Sequence, residues 1–512
     1  MKEILYIQAG PLSNFVGTHF WNTQESYFTY GEHEDPIVFH DRSFREGLTS
    51  KGEPTFCPRL LVFDRKSHFG RLSDELYGDA DNSDVSQWEG GVVEYRQDPI
   101  PRSEYQRRLA HEESAEQDDD AEASEPSDVR FWSDYNRVYY HPRSAQRLPD
   151  LADWERAEGE WTASRQAFEK YEHDRELMEN DVRLFVEECD ALQGIQLLSD
   201  CDTFGGFTDA FLTAFRDEHS KMPSLAFPLL SSASKAPVSA DEELNAMKLI
   251  NDALCIRSFE TLSTITVPLQ HPSVWRQQEW IDGLTADIRS PYHTSAILAT
   301  HIETATIPLR LKSSQYDIAS LSSMLNASGT LNISHLAGMY PVPSSVAWSR
   351  ETEKRMFDLS AVAEAGSKHH SRASVAEYAR LHVSRGFRSS ELAKFDEVFA
   401  TNARAPLSIH APSYPTPTSF PRFFASSPSR DQDKHRVLSS LSTSSATAPL
   451  LAAYATLVQE CVDRRAEVVA HMGLEFDEMR ELKDELWALC DRYAGPDEEW
   501  KGEENVLSED ED

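Results

Sequence analysis

Cysteine is scarce in this sequence, and no two cysteines are close enough along the chain to form a metal knuckle. The 512 residues include six cysteines, none of them in a Cys-X2-Cys pair. This distribution excludes a disulfide-stapled small domain and a zinc ribbon, and it suits a reducing compartment. The histidines considered as ligands show no metal-ligand spacing to cysteines or acids, so we expect no metal site. They are His141, His293, His301, His369 and His370. The cysteines are Cys57, Cys189, Cys201, Cys255, Cys461 and Cys490.

Long apolar runs are also missing. No stretch of about 18 apolar residues is present, so we predict no transmembrane segment. The first residues, Met1–Ile7, already contain an acid and lack the Arg- and Ser-rich character of a transit peptide. If the protein works at an organelle, we therefore expect it on the outer, cytosolic face.

Positive charge is outnumbered: 50 Lys and Arg stand against 86 Asp and Glu, a net charge of −36. A surface of this sign repels phosphate backbones, so we expect no direct contact with nucleic acid. Acids concentrate at about 112–128 and in the tail, 496–512. Because such runs repel themselves and bury little apolar surface, both are predicted to be disordered.

Strand and helix patterns alternate through the first 270 residues. Apolar runs predict strands at Ile4–Gln8, Leu60–Phe63 and Ile195–Leu198, and a helical period predicts a helix over 161–190. This alternation favours an α/β domain with a mostly parallel sheet. Further helices are predicted over 244–259 and 451–494. A Ser- and Pro-rich stretch at 401–448 is predicted to be a long loop, although Phe420, Phe423 and Phe424 could dock part of it.

The segment Gln8–Gly17 joins a strand to a helix through a turn of small residues. Backbone amides in this geometry can hold a phosphate, although two glycines seven apart are also ordinary in turns. With Phe20–Trp21, the segment resembles the opening of the tubulins, Q-A-G-Q-C-G-N-Q-I-G followed by F-W. Further segments in the same order resemble tubulin too. They are Pro58–Asp64, Glu188–Leu197, Asn245–Ala246, a strand at Thr304–Arg310, and His471–Tyr493 with the acidic tail.

The departures from tubulin concern phosphate and hydrolysis. The family's second phosphate loop, G-G-G-T-G-S-G, corresponds to Asp202–Thr208, which keeps only Gly205 and Gly206. Side chains at the lost glycines obstruct a phosphate, and Asp202 adds repulsion. The segment Arg289–His293 lacks the acid that promotes hydrolysis in the family. Lys66 replaces a further acid and is either a phosphate contact or a surface lysine.

The motifs Phe131–Tyr135 (F-W-S-D-Y) and Tyr139–Ser144 (Y-Y-H-P-R-S), with the divergent turn P-L-S-N-F-V-G, resemble the Misato family, its fungal branch in particular. That resemblance implies a tubulin/FtsZ-like α/β fold. It implies a Rossmann-type unit over 1–270, an intermediate α+β domain over 271–400 and C-terminal helices over 449–495. It also implies a role in partitioning mitochondria and inheriting mitochondrial DNA, in the cytoplasm and at the mitochondrion.

The resemblance also marks a candidate, degenerate GTP site. Asn245 is the candidate base contact, because a carboxamide can pair with guanine. No catalytic residue is predicted, and GTP is a possible rather than an expected cofactor. The site comprises Gln8, Ala9, Gly10, Asn14, Asp64, Gly205, Gly206 and Asn245.

Three functions remain open from the sequence. The first is a non-catalytic protein that acts through proteins of the mitochondrial surface or the cytoskeleton. The second is a GTP-binding, filament-forming GTPase. The third is a cytosolic factor that binds tubulin or its chaperonin.

Overall fold

A computed structural model describes most of the chain. The described residues are 2–28, 35–48, 54–72, 100–112, 126, 129–151, 159–233, 242–275, 286–342, 356–360, 375–399, 407–423 and 434–494. The acidic insertion at about 112–128 lies outside them except for Glu112 and Pro126, and the tail 496–512 lies wholly outside. The two predictions of disorder therefore stay predictions.

The first sheet has six parallel strands in the order β5-β4-β1-β6-β7-β8. Its central strands are almost continuously buried, as expected for a sheet covered on both faces. The predicted parallel α/β unit is thus confirmed. The strands are β1 (Lys2–Ala9), β4 (Leu60–Arg65), β5 (Ala145–Leu148), β6 (Ala191–Asp200), β7 (Ser224–Leu229) and β8 (Ile265–Thr266), and a separate hairpin joins β2 (Phe44–Leu48) to β3 (Pro54–Pro58).

Helices cover both faces of this sheet. Along β1, Leu5 and Ile7 face one apolar layer, and Ile4 and Tyr6 face the other, which is the two-residue period of a strand. The helix predicted over 161–190 is interrupted at Glu176, which has a left-handed φ of 50°, and a π-helical turn follows at Met178–Val182. The helices are α1 (Pro11–Ser26), α2 (Glu104–Glu112), α3 (Trp161–Arg175), α4 (Arg183–Glu187), α5 (Cys201–Glu218) and α6 (Glu242–Leu262).

A second, mixed sheet has five strands in the order β10-β9-β15-β11-β12. Strands β11 and β12 run parallel, and the other neighbouring pairs are antiparallel. The strands are β9 (His335–Met339), β10 (Phe357–Asp358), β11 (Glu377–Arg385), β12 (Leu407–Ala411) and β15 (Val437–Ser444), and the short strands β13 (Tyr414–Pro415) and β14 (Lys434–His435) pair nearby.

The prediction of a loop over 401–448 was wrong at both ends of that stretch. Strand β15 is the middle strand of the second sheet, so this sheet also crosses the predicted boundary at residue 400. Ser439 and Ser440 are buried there, since a paired backbone accepts small polar side chains that composition alone assigns to loops. The predicted docking is confirmed for Phe420 and Phe423, because both are buried, and Phe424 lies outside the described residues.

Helix α7 (Pro291–Thr306) is the central helix between the two sheets. It packs against α1 on one side and against β15 on the other, and every residue from Thr294 to its end is buried. The strand predicted at Thr304–Arg310 was wrong, because α7 continues through Thr306 into a 3-10 turn at Ile307–Leu309. Two shorter helices pack against strands of the second sheet. They are α8 (Ile318–Leu325) and α9 (Ser389–Phe399).

Three helices end the described chain: α10 (Ala448–Asp463), α11 (Glu467–His471) and α12 (Phe476–Tyr493). Helices α10 and α12 pack on each other and on α6. The apolar stripe of α12, including Leu482, Leu486 and Leu489, is buried within the chain's own core. Among the described residues no helix combines the length and apolar character needed to cross a bilayer.

Candidate functional site

The site is built around the turn between β1 and α1. Gly10 has φ 104°, a backbone conformation that residues with a Cβ rarely adopt. Its N–H donates to the Phe63 carbonyl at 3.1 Å, and its carbonyl accepts from the Asn14 N–H at 3.0 Å. The predicted strand–turn–helix geometry is therefore present, with the N-terminus of α1 directed at the carboxyl edge of the sheet.

A carboxyl group of the chain itself occupies that N-terminus. Asp200, the last residue of β6, accepts the Leu12 N–H at 2.8 Å, the Ser13 N–H at 2.8 Å and the Ser13 hydroxyl at 2.6 Å. Asp200 reaches this position because β1 and β6 are neighbours, with Ala9 paired to Ser199. A Cβ placed on Gly10 would lie 2.7 Å from the Asp200 carboxyl. The carboxyl group thus fills the place in which the sequence suggested a phosphate.

Further negative charge surrounds Asp200. Burial, reinforced by the nearby charge of Asp202, raises the pKa of the Asp200 carboxyl to about 8, while the hydrogen bonds from Ser13 and Leu12 act in the opposite direction. Asp202 itself lies 3.5 Å from the ammonium of Lys248, on α6. The local cation is therefore already paired with a carboxylate.

Asp64 is the second buried acid of the site. It is fully buried and accepts hydrogen bonds from the Asn14 side-chain amide at 2.9 Å, the Trp132 indole N–H at 3.1 Å and the Arg65 backbone N–H at 2.8 Å. The His68 Nδ1 atom lies 2.9 Å from the same carboxyl group. These contacts hold the Asp64 side chain in the interior of the protein. Lys66, two residues on, is exposed in a short 3-10 turn, which fits a surface lysine.

The F-W-S-D-Y motif forms a 3-10 turn that covers this region. Trp132 contacts Asp64 as described, and the Tyr135 hydroxyl donates to the Phe15 carbonyl at 2.9 Å. Asn22 of α1 donates to the Tyr135 carbonyl at 2.9 Å and accepts the Arg137 N–H at 2.9 Å. The motif therefore acts as a packed cover over α1, and sequence reasoning did not predict its contact with Asp64.

Gly205 and Gly206 do not belong to a loop. Both lie inside α5, which starts directly after β6, so the stretch that corresponds to the family's second phosphate loop is helical here. A Cβ on Gly205 would lie 2.6 Å from the Cys255 sulfur, and one on Gly206 would collide with the Trp161 carbonyl of α3. The two glycines allow α3 and α6 to approach α5 closely.

The remaining candidates, Gln8, Ala9 and Asn245, lie in a strand and in a helix rather than in the glycine turn. Gln8 and Ala9 are buried in β1, and the Gln8 carboxamide lies against Gly17 of α1. Asn245 is half-buried in the first turns of α6. On the same helix, the Asn251 amide donates to the Gly159 carbonyl at 2.7 Å. The structure therefore brings Gly10, Asn14 and Asp64 together and gives Gly205 and Gly206 a packing role.

These residues do not fit a triphosphate. The backbone amides at the α1 N-terminus already donate to the Asp200 carboxyl group. The stretch that corresponds to the second glycine loop is a helix, and the neighbouring Lys248 is paired with Asp202. The described residues also contain no group of three or more His, Cys, Asp or Glu side chains able to hold a metal ion. Sequence reasoning missed Asp200, although its place at the carboxyl end of a parallel strand is a signal that could have found it.

Two buried carboxyls predict a pH dependence of stability. Burial raises the pKa of Asp252 from 3.8 to about 7, and that of Asp200 from 3.8 to about 8. A carboxyl group whose pKa is higher in the folded state than in the unfolded state contributes fully to stability below its unfolded-state pKa. That contribution is lost as the pH rises through its folded-state pKa. We therefore expect the free energy of unfolding to fall between about pH 4 and about pH 8.

The Asp252→Asn variant checks this expectation by urea unfolding at about pH 5 and about pH 8. Asp252 accepts from Ser231 and Tyr454 and lies near the charge of Asp202. Because asparagine does not titrate, the variant should lose less stability between the two pH values than the wild type. An equal loss in both proteins would contradict the prediction.

Family comparisons agree with this architecture. Residues 121–311 match the profile of a Tubulin domain, and residues 2–111 match the Misato Segment II tubulin-like domain. With the parallel sheet, the glycine turn and the central helix α7, these matches define a tubulin-like protein. More narrowly, the chain belongs to the Misato family.

The relatives support that assignment. The chain is 30% identical to "Protein dml1" of Aspergillus niger over 95% of this chain and 98% of the relative. It is 36% identical to "Protein DML1" of Gibberella zeae over 64% of this chain and 65% of the relative. It is 30% identical to "Protein misato homolog 1" of Mus musculus over 64% of this chain and 62% of the relative. The matched part thus spans less than two thirds of the last two proteins.

Proposed function

We propose that the chain acts in the partitioning of mitochondria and the inheritance of mitochondrial DNA by binding other proteins, without turning over a nucleotide. Membership of the Misato family supports the mitochondrial role. The partners are proteins of the mitochondrial surface or the cytoskeleton, with tubulin or a chaperonin among the candidates. The protein would act in the cytoplasm and at the cytosolic face of the mitochondrion.

One observation carries the non-nucleotide part of this proposal: the Asp200 carboxyl group at the N-terminus of α1. A nucleotide phosphate placed there would have to displace it and lose hydrogen bonds that are already made. It would also face the like charge of Asp202. Binding a nucleotide would therefore cost the free energy of the lost hydrogen bonds and of this repulsion, which disfavours a GTP-driven cycle.

Titrating the purified full chain with labelled GTP tests this part. We expect no saturable binding up to about millimolar nucleotide. A Kd of about 1 mM corresponds to a binding free energy of about −4 kcal/mol, so the titration would detect any site that binds more tightly than this. Saturable binding at micromolar GTP would refute it, provided that Gly10→Asp abolishes the signal. The Gly10→Asp variant is the control because its side chain would enter the same turn.

The mitochondrial part has a separate test in fungal cells that carry this chain as their own Misato protein. Depletion should produce daughter cells with unevenly distributed mitochondria and lost mitochondrial DNA, scored by fluorescence microscopy and DNA quantification. Re-expression of the wild-type chain should restore both. Normal distribution after complete depletion would contradict the proposal.

A GTP-binding, filament-forming protein is the second candidate, and one observation favours it. The Asn14 Oδ1 atom is buried and has no hydrogen-bond partner among the described residues. A ligand N–H or a water molecule would satisfy it. The labelled-GTP titration separates this candidate from the first, and sedimentation of filaments with GTP but not without it would establish it.

A further inference from the structure

The donors of the α1 N-terminus can be accounted for completely. Position 11 is a proline and has no N–H to offer. The next two backbone amides, of Leu12 and Ser13, both donate to the Asp200 carboxyl group, and the backbone N–H of Asn14 donates to the Gly10 carbonyl. No first-turn amide therefore remains for an external anion. The Ser13 hydroxyl, a further donor on this turn, also binds Asp200.

The space in front of the turn is occupied as well. A Cβ on Gly10 would lie 2.7 Å from the Cβ, Cγ and Oδ2 atoms of Asp200. The absence of a side chain at position 10 is thus required by the carboxyl group that is already present. Asp200 is 5% exposed, so the contact is an interior one rather than a surface cap.

We propose that the Asp200 carboxyl group takes the place of a nucleotide phosphate, and that removing its side chain opens this turn to a phosphate group. The Asp200 carboxyl, supplied by β6, ties the start of α1 to the neighbouring strand. The tubulin-like unit thereby keeps its glycine turn without needing a ligand. This inference rests on the non-nucleotide part of the proposed function and names the group responsible for it.

A second buried acid provides the matched control. Asp252 is also buried and accepts both the backbone N–H of Ser231, at 2.9 Å, and its hydroxyl, at 2.7 Å. It therefore resembles Asp200 in burial and in partners. Asp252 lies in the middle of α6, and the groups that donate to it, from Ser231 and Tyr454, are not first-turn amides of a helix, so its removal should open no such anion site.

The experiment compares thermal unfolding of the full-length wild type, Asp200→Ser and Asp252→Ser, with inorganic phosphate against chloride at equal ionic strength. Both variants should be less stable than the wild type, because both lose hydrogen bonds. Phosphate at roughly ten times its Kd should raise the Tm of Asp200→Ser by about 2 °C more than that of the other two proteins. Equal shifts in all three proteins would overturn the inference, because phosphate also stabilises proteins non-specifically.

Hydrogen exchange on the wild type gives a readout that does not depend on whether a variant folds. The amides of Leu12 and Ser13 should be protected without any added anion, and phosphate or GTP should not change their exchange. Rapid exchange that slows when phosphate is added would overturn the inference. GTP binding by the wild type would refute the proposed function itself. An Asp200→Ser chain insensitive to phosphate, beside a wild type that binds no GTP, would refute only the inference that the Asp200 carboxyl group replaces a phosphate.

Discussion

Replacing Glu303 with alanine is expected to lower the free energy of unfolding by about 3–5 kcal/mol. Glu303 lies on the central helix α7 and is fully buried. It forms ion pairs with Arg385 of β11 and, at 3.5 Å, with Arg310. The guanidinium groups are as deeply buried as the carboxylate, so the variant would leave two cations in the interior without their counter-charge.

The position of the cluster explains why its loss should affect the whole molecule. The Tyr27 hydroxyl, at the end of α1, donates to Glu303 at 2.7 Å, while Arg385 belongs to the second sheet. Glu303 therefore connects the helix that follows β1 with the second sheet through α7. Removing one member of a buried charge network costs more than the network contributes in total, because the desolvated partners remain.

Urea unfolding followed by circular dichroism measures the effect, and Glu187→Ala is the control. Glu187 pairs with Arg183 one turn away on α4, at 2.6 Å, but both side chains are largely exposed. Such surface pairs contribute little, so the control should unfold with the wild type. Similar losses in the two variants would show that the burial of the Glu303 cluster is not what makes it important.

Much of the first unit could be predicted from the sequence because its signals are local. The strand at Ile4–Gln8, the glycine turn and the helix over 244–259 each follow from apolar spacing or from the special conformation that glycine allows. The tubulin resemblance added their order. Local signals therefore gave the parallel α/β layer and the place of the candidate turn.

The failures have a common physical cause, which is dependence on distant parts of the chain. Strand β15 reads as Ser-rich and loop-like, and only its pairing with β9 and β11 makes it a central strand. The contact of Asp200 with Ser13 requires β1 and β6 to be neighbours first. The Glu303–Arg385 pair likewise spans 82 residues. No local pattern announces such contacts.

The same reasoning applies to Gly206, for which Gly206→Ala is expected to destabilise the protein by about 3 kcal/mol. In an open helix this change would be favourable by about 1 kcal/mol, since alanine is the better helix former. Here the new Cβ would meet the Trp161 carbonyl, and the Arg165 backbone nitrogen lies 3.2 Å away. Both atoms belong to the backbone of α3, so the helix itself would have to move away from α5.

Gly205→Ala, at the adjacent position of the same helix, is the matched comparison for urea unfolding. The new Cβ there would meet side-chain atoms, the Cys255 sulfur at 2.6 Å and the Trp161 ring at 3.0 Å. Side chains can rotate away at lower cost than a helix backbone can shift, so this variant should lose less stability than Gly206→Ala. A phosphate-loop role predicts the opposite pattern, in which either alanine leaves stability unchanged and only ligand binding suffers. Stability unchanged in both variants would therefore remove the packing explanation for these glycines.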